Sequence, residues 1–357
     1  MSWLLLAIAA LALAALEYFW AEYAWQSLGF RGGCDEILAE PGETVTWSGT
    51  VENTGKWPIP FVRVTERFPA EARIQESEEW IRNHCVRNML QWYKEEKMSL
   101  LPRQSRSRTV RLSFPARGVY RIGSYQVSAG DLLGFREKGI SGDWQEMVIM
   151  PERSSNTVSL DALGGFLGDV SVRRFILEDP ILTVGFREYT GREPMKAISW
   201  TRTATAGSLQ VRQYDYTAER HIMILLNVEG ASPEELEESF RLMRSVCEAL
   251  EQKKIPYGMR TNGNLTAVSG KIRWMPEGLG LRHLNTILYG LGRADATCLH
   301  SFRYLTEQTL RHRKSNEAYI VITPPLTNTS RSCVKALESQ VGSGVCVLIA
   351  EGEGEKA

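Results

Sequence analysis

The chain opens on an unbroken apolar run, Trp3 to Leu16, dominated by Ala and Leu. A helix over these 14 residues is apolar on every side, so it needs either a protein core around it or a lipid phase. The run falls short of the ~20 residues that a bilayer crossing takes. Its continuation, Glu17 to Phe30, crowds Tyr18, Phe19, Trp20, Tyr23 and Trp25 around Glu17 and Glu22. Aromatic residues gathered just past an apolar stretch mark a membrane–water interface. A helix from about Ser2 to Tyr23 is therefore expected to span a bilayer, with both glutamates near the headgroups. A secretory leader normally starts with a basic residue, whereas the first one here is Arg31 and the next is Lys56. Basic residues that follow the helix place the remainder on the cytoplasmic side, giving a single-pass protein of the cell membrane. The competing reading is a buried core helix.

At 357 residues the chain has room for two cores. Its 42 basic and 42 acidic residues cancel, leaving no general field to draw in nucleic acid. The densest basic stretch, Arg103 to Arg111, alternates and meets no aromatic before Phe114, which reads as the solvated face of a strand and not as a nucleic-acid surface. Six cysteines, Cys34, Cys85, Cys247, Cys298, Cys333 and Cys346, show no metal-ligand spacing. They read as separate thiols in a reducing compartment.

From Thr44 the pattern turns to alternation. Val45, Trp47, Gly49 and Val51 share one face and Thr44, Thr46, Ser48 and Thr50 the other, the period of a half-buried strand. Phe61 to Phe68, Thr109 to Phe114, Val119 to Val127 and Glu146 to Met150 add strands to what the spacing predicts is a small sandwich. Between Gln75 and Trp92, the fourfold recurrence of Trp80, His84, Asn88 and Trp92 suggests a helical insertion. His84 has no second ligand at useful spacing.

Farther along, Arg117-Gly118-Val119-Tyr120-Arg121-Ile122-Gly123 and then Asp131-Leu132-Leu133-Gly134-Phe135 resemble the element that precedes DUF58 domains. The main resemblance lies in Gly185 to Tyr214, where Gly185, Arg187, Tyr189, Gly191, Ile198, Trp200, Thr203, Ala204, Gly207, Leu209, Val211 and Arg212 keep both type and spacing of the DUF58 hallmark over about thirty positions. Departures are Glu193 for Asp, Lys196 for Arg and Tyr214 for Phe. The resemblance spans residues 117 to about 330. Arg187, Arg192, Lys196, Arg202 and Arg212 could pair with Glu188, Glu193 and Asp215 and hold an irregular loop, since a guanidinium engages carboxylates bidentately. In that reading Trp200 packs beneath, and Gly191 and Gly207 permit close backbone approach. The alternative for these residues is a surface for a partner or an anion.

Beyond the motif, His221 to Val228 is a continuous apolar run suited to a buried strand, and Ser232-Pro233-Glu234-Glu235 reads as a capped helix start. Strands at Tyr257 to Thr261, Ala318 to Thr323 and Val345 to Ala350 alternate with helices near Leu281 to Leu291, Ser301 to Arg311 and Ser330 to Val341. That alternation predicts a doubly wound parallel sheet, as a von Willebrand factor A-like α/β domain has. The expected organisation is an anchor and juxtamembrane segment over 1–30, a β-rich domain over 31–155, the DUF58 signature over 156–220 and the α/β domain over 221–350.

The resemblance also implies where a metal would sit: a D-x-S-x-S pattern, whose hard oxygens suit Mg2+. The matching positions are Asn227, Glu229 and Ala231, and the second element reads Thr323-Pro324. With those oxygens missing, no metal or other cofactor is expected, although Glu229 and Ser232 are conceivable substitutes. No P-loop, G-x-S-x-G or H-E-x-x-H is present, so no enzyme is expected. The resemblance implies a non-catalytic scaffold working with a MoxR-type AAA ATPase in envelope or stress-related assembly. The alternatives are a metal-dependent ligand-binding von Willebrand factor A module and a cryptic enzyme acting on the envelope.

Overall fold

The computed structural model describes residues 2–34, 36–130, 137–173, 183–191, 195–214, 221–267, 270–314, 317–342 and 344–352. These divide into two compact units, Met1–Glu152 and Arg153–Ala357.

The first unit runs α1 (Ser2–Ser27), β1 (Leu28–Cys34), β2 (Leu38–Ala39), β3 (Val45–Asn53), β4 (Ile59–Pro69), β5 (Arg73–Ile74), α2 (Glu78–His84), β6 (Cys85–Arg87), β7 (Gln91–Leu100), β8 (Ser105–Ser113), β9 (Gly118–Ile122), β10 (Ser124–Gly130), β11 (Glu137–Gly142) and β12 (Gln145–Ile149). Its N-terminal helix contains a 22-residue stretch, Leu6–Ser27, long and apolar enough to cross a membrane. Trp3, Leu4, Leu6, Ile8, Leu11, Leu13 and Leu16 are exposed, so no core of this unit covers the apolar run. The last turns behave differently. Ala24 is fully buried among Phe30, Val62 and Val127, the Trp20 indole donates to the Pro58 carbonyl at 3.2 Å, and the Tyr23 hydroxyl accepts from the Trp57 amide at 2.7 Å. One helix is thus bare for most of its length and part of a protein core at its end.

Two sheets, ordered β1-β3-β8-β5 and β11-β10-β4-β7-β6, face each other, with a three-stranded sheet β2-β12-β9 beside them. The alternation read from the sequence is the burial pattern seen: Val45, Trp47, Gly49 and Val51 are turned inward along β3. Phe30 and Val51 of one sheet meet Val62, Val64, Leu100 and Val127 of the other. The insertion is helical only over Glu78–His84; Cys85 takes an extended conformation and the chain continues as a strand against β7. The Asn88 side chain accepts from the amides of Leu90 and Gln91 at 2.9 and 2.7 Å and closes that hairpin, which ends the helical recurrence. The segment Asp131 to Phe135 lies outside the described residues.

The second unit contains α3 (Thr157–Arg173), β13 (Thr183–Glu188), a 3-10 turn Met195–Ala197, α4 (Trp200–Ala206), β14 (Gln210–Tyr214), β15 (His221–Leu226), α5 (Pro233–Gln252), β16 (Tyr257–Ala267), β17 (Gly270–Gly278), α6 (Leu281–Gly292), α7 (Phe302–Arg311), β18 (Glu317–Thr323), α8 (Asn328–Val341) and β19 (Val345–Ile349). Its main sheet has the order β17-β16-β15-β18-β19. β15 pairs in parallel with β16 and β18, and β18 with β19. The expectation of a wholly parallel sheet fails at one edge, where β17 returns antiparallel to β16. Met223, Leu225, Tyr319 and Val321 pack on Phe302 and Leu305 of α7 and on Cys333, Val334 and Leu337 of α8. The intervening Ile222, Ile224, Leu226, Ile320 and Ile322 are buried as well, so helices cover both faces. α5 begins as expected: Ser232 and Glu235 form a reciprocal capping box with Pro233 in the first turn.

At the centre of the first unit lies an ion pair taken out of water. Glu66 is 1% exposed and Lys94 2% exposed, with Nζ 2.9 Å from Oε2; the Trp47 indole donates to Oε1 at 2.9 Å. Removing one charge strands the other, which costs about 3–5 kcal/mol. Lys94→Met alone should therefore lower the unfolding free energy of the chain in detergent by that much, read from a denaturant titration. Lys94→Met combined with Glu66→Gln, which keeps an acceptor for Trp47, should recover most of the loss.

Candidate functional site

The signature residues form a small unit in which β13 and β14 pair antiparallel, with the 3-10 turn and α4 between them. Ser199 donates its amide to Gln210, Tyr189 to Leu209, and the Thr203 hydroxyl accepts from the Gln210 amide at 3.0 Å. Ile198, Ser199 and Val211 are buried and hold the unit together. Gly207 ends α4 in the left-handed region at φ 73°, and Gly191 has φ 86°. Among the described residues no atom beyond the chain neighbours lies within 4 Å of a Cβ at either position, so there these glycines serve backbone conformation.

Trp200, expected to pack beneath the loop, is 61% exposed. It is the first residue of α4, and what the unit buries comes from Ile198 and Val211 instead. Phe186, Met195 and Leu209 are exposed too. Only part of the ion-pair lattice expected of the arginines falls on described residues. Glu188 accepts from the Ser208 hydroxyl at 3.2 Å, Arg202 lies 5.0 Å from the centroid of the Phe186 ring, and among the described residues Lys196, Arg202 and Arg212 have no ion pair. Arg187 and Arg212 are exposed, as is Lys196. Arg192, Glu193 and Asp215 lie outside the described residues.

The positions that the resemblance assigns to a metal sit at the carboxyl ends of β15 and β18, where the structure builds a neutral network. Asn227 Nδ2 donates to Thr323 Oγ1 at 3.0 Å. Asn227 Oδ1 accepts from Asn262 Nδ2 at 2.7 Å and from the Glu229 amide at 3.0 Å. Asn262 Oδ1 in turn accepts from the Val228 amide at 2.9 Å. Asn227, Asn262 and Thr323 are all buried. The two conceivable substitute ligands are engaged elsewhere: Glu229 accepts from the Phe302 amide at the start of α7, 2.6 Å away, and Ser232 caps α5. Among the described residues no three His, Cys, Asp or Glu side chains group as an ion site. Asn262 is the member of this network that the sequence reading missed; in the sequence it stands in an Asn-Gly-Asn stretch that looks like a turn.

A second polar group joins Cys247, Tyr257, Glu251 and His283. Tyr257 donates to Glu251 at 3.1 Å, Glu251 accepts twice from the Gly280 amide, and His283 Nε2 meets the Tyr257 carbonyl at 3.0 Å. Burial pushes the Cys247 thiol far up and the Tyr257 hydroxyl likewise, while burial lowers His283. A thiol held protonated is no nucleophile, so this group ties β16 to α5 and α6.

Comparison with known protein families and with curated proteins returns no match. Among solved structures the chain is similar to the CARDB domain of a Pyrococcus furiosus protein, crystallised with di-metal ions, at 14% identity over 34% of this chain and 91% of that one, with a TM-score of 0.22. It is similar to an ASH/PapD-like domain of human CEP192 at 13% identity over 35% and 85%, TM-score 0.22. A non-cellulosomal cohesin from Archaeoglobus fulgidus is similar at 11% identity over 37% and 96%, TM-score 0.25.

Thr323→Val keeps the shape of the network and removes one partner of Asn227. Stranding that buried amide should cost about 1–3 kcal/mol, read as a lowered denaturant midpoint. Titration of the wild-type chain with Mg2+ or Mn2+ should give no saturable heat; sub-millimolar binding that vanishes in Glu229→Ala would reverse this assignment.

Proposed function

We propose that this chain is a membrane-anchored, non-catalytic scaffold of the DUF58 type, in which the unit from Thr183 to Tyr214 docks a protein partner. Its second unit then corresponds to a von Willebrand factor A-like, doubly wound domain that has lost its metal. Support for that correspondence comes from the β17-β16-β15-β18-β19 strand order with an antiparallel edge and from the signature spacing itself. The observation that carries the docking role is the exposed set Phe186, Met195, Trp200 and Leu209 on the same small unit as Lys196, Arg202 and Arg212. Exposed large aromatics beside arginines are the residue types that dominate protein interfaces. The resemblance points to a MoxR-type AAA ATPase as the partner, in envelope or stress-related assembly. A metal-dependent module is disfavoured by the neutral Asn227 network.

The anchoring part of this reading places the apolar, exposed part of α1 in the bilayer. That part, from Trp3 to Phe19, rises about 25 Å at ~1.5 Å per residue, a little under the ~30 Å hydrocarbon thickness. Arg31 and Lys56, both after the helix, put the two units on the cytoplasmic side.

Two measurements test the proposal. Because Trp200 is exposed, Trp200→Ala should shift stability by no more than ~0.5 kcal/mol, and with Lys196→Glu it should abolish co-purification of the MoxR-type ATPase; normal capture by the doubly substituted chain, with normal melting, removes the docking role. Topology is read from Cys298, the exposed cysteine of the six. In a Cys34→Ser background a membrane-impermeant maleimide should leave it unlabelled in intact spheroplasts and label it after lysis, and labelling before lysis would invert the orientation.

A further inference from the structure

A concave site of about 380 Å3 opens on the α7 side of β16 and β17, lined by Arg260, Trp274, His300, Tyr304, Gln308 and His312 among others. Its position follows from register. Arg260 pairs with Leu225 of β15 on one side and with Trp274 of β17 on the other, so its side chain shares the sheet face that α7 covers. β17 is an edge strand, and α7 leaves part of that face open. Trp274 is 58% exposed and Tyr304 47% exposed. The His300 ring lies 4.8 Å from the Tyr304 ring, centroid to centroid.

Arg260 has no ion pair among the described residues. Its Nη1 donates to the Gln308 carbonyl at 3.1 Å, which also accepts from His312 Nδ1 at 2.9 Å. Its Nε is buried with no acceptor. Among the described residues none that lines the groove is acidic, and Arg260 has no carboxylate partner. Three arginines elsewhere in the same unit do: Arg153 and Arg244 share Glu248 at 2.6 and 2.8 Å, and Arg303 reaches Glu307 at 3.0 Å. A guanidinium with open donors, set in a concavity between exposed aromatic rings, is a complement waiting for a planar anion. The volume falls in the range of small-molecule sites, ~300–1,000 Å3.

We propose that this groove binds a small free carboxylic acid with a planar apolar body, the carboxylate on Arg260 and the body against Trp274 and Tyr304. A single fixed cation with aromatic walls matches a singly charged acid. A phosphate ordinarily draws several cations, and Arg260 is the one arginine or lysine among the described lining residues. This site is separate from the signature unit, and it stands or falls independently of the docking role.

The test is calorimetric titration of the full chain in detergent with benzoate, phenylacetate and indole-3-acetate, beside phenylacetamide and phenyl phosphate. At least one of the three acids should bind saturably, with phenylacetamide and phenyl phosphate both weaker. Arg260→Gln should weaken the best acid by about tenfold or more, the loss of a charge-assisted hydrogen-bond pair. Trp274→Ala, at an exposed position that folding does not depend on, should weaken the same acid while leaving melting unchanged. No saturable binding by any acid, amide binding equal to that of its acid, tighter binding of the phosphate, or wild-type affinity in either folded variant would overturn the proposal.

Discussion

The Trp47 indole lies between the two sheets of the first unit, and much of the sandwich is arranged around it. Its N–H donates to Glu66, whose second oxygen holds Lys94. Neither charge reaches water, so each depends on the other, and the Glu66 carboxylate depends on the indole as its second donor. The ring also dictates what may stand next to it. A Cβ at Gly123 would sit 2.0 Å from the indole and one at Gly32 2.8 Å from it. Gly123 therefore breaks what reads as one strand into β9 and β10, which belong to different sheets. Gly49 likewise leaves room for the Glu66 carboxylate and the Phe30 ring. A polar interaction buried this deeply adds little net stability, but it fixes which strand faces which.

The second unit solves the same problem without charge. At the ends of β15, β16 and β18, three side chains and two backbone amides satisfy one another through Asn227, Asn262 and Thr323. Carboxylates gathered there would repel unless a cation joined them; amides and a hydroxyl need no such counterion. Glu229, the acid closest in sequence, is turned to the first amide of α7, where the helix dipole favours it. The edge thus closes on itself, while Arg260, beside the open flank of α7, has no carboxylate partner among the described residues.

Legibility from the sequence followed the range of the interactions. The bare apolar helix, the inward alternation along β3 and β4, and the capped start of α5 rest on neighbours two to four residues apart, and all three were readable. In the second unit α3 and the continuation of β16 past Thr261 were not. α3 carries Gly164, Gly165 and Gly168, poor helix formers, yet it forms, with Leu163 and Leu167 buried and Ser159 donating to the Ile349 carbonyl. β16 runs through Asn262-Gly263-Asn264, which reads as a turn, and continues with a register shift before pairing with β17. In both cases contacts made far along the chain override local preference.

What the sequence determined by itself was the class of each segment: an apolar N-terminal helix, short alternating strands, then helices and strands in turn, because periodicity and capping are local properties. The tertiary structure alone decided that Trp200 faces water, that Asn227 meets residues 35 and 96 positions away, and that Arg260 has no acid opposite it. Those outcomes depend on which side chains the folded backbone brings within about 3 Å of one another, and residues that far apart in the chain meet only when the whole unit closes around them.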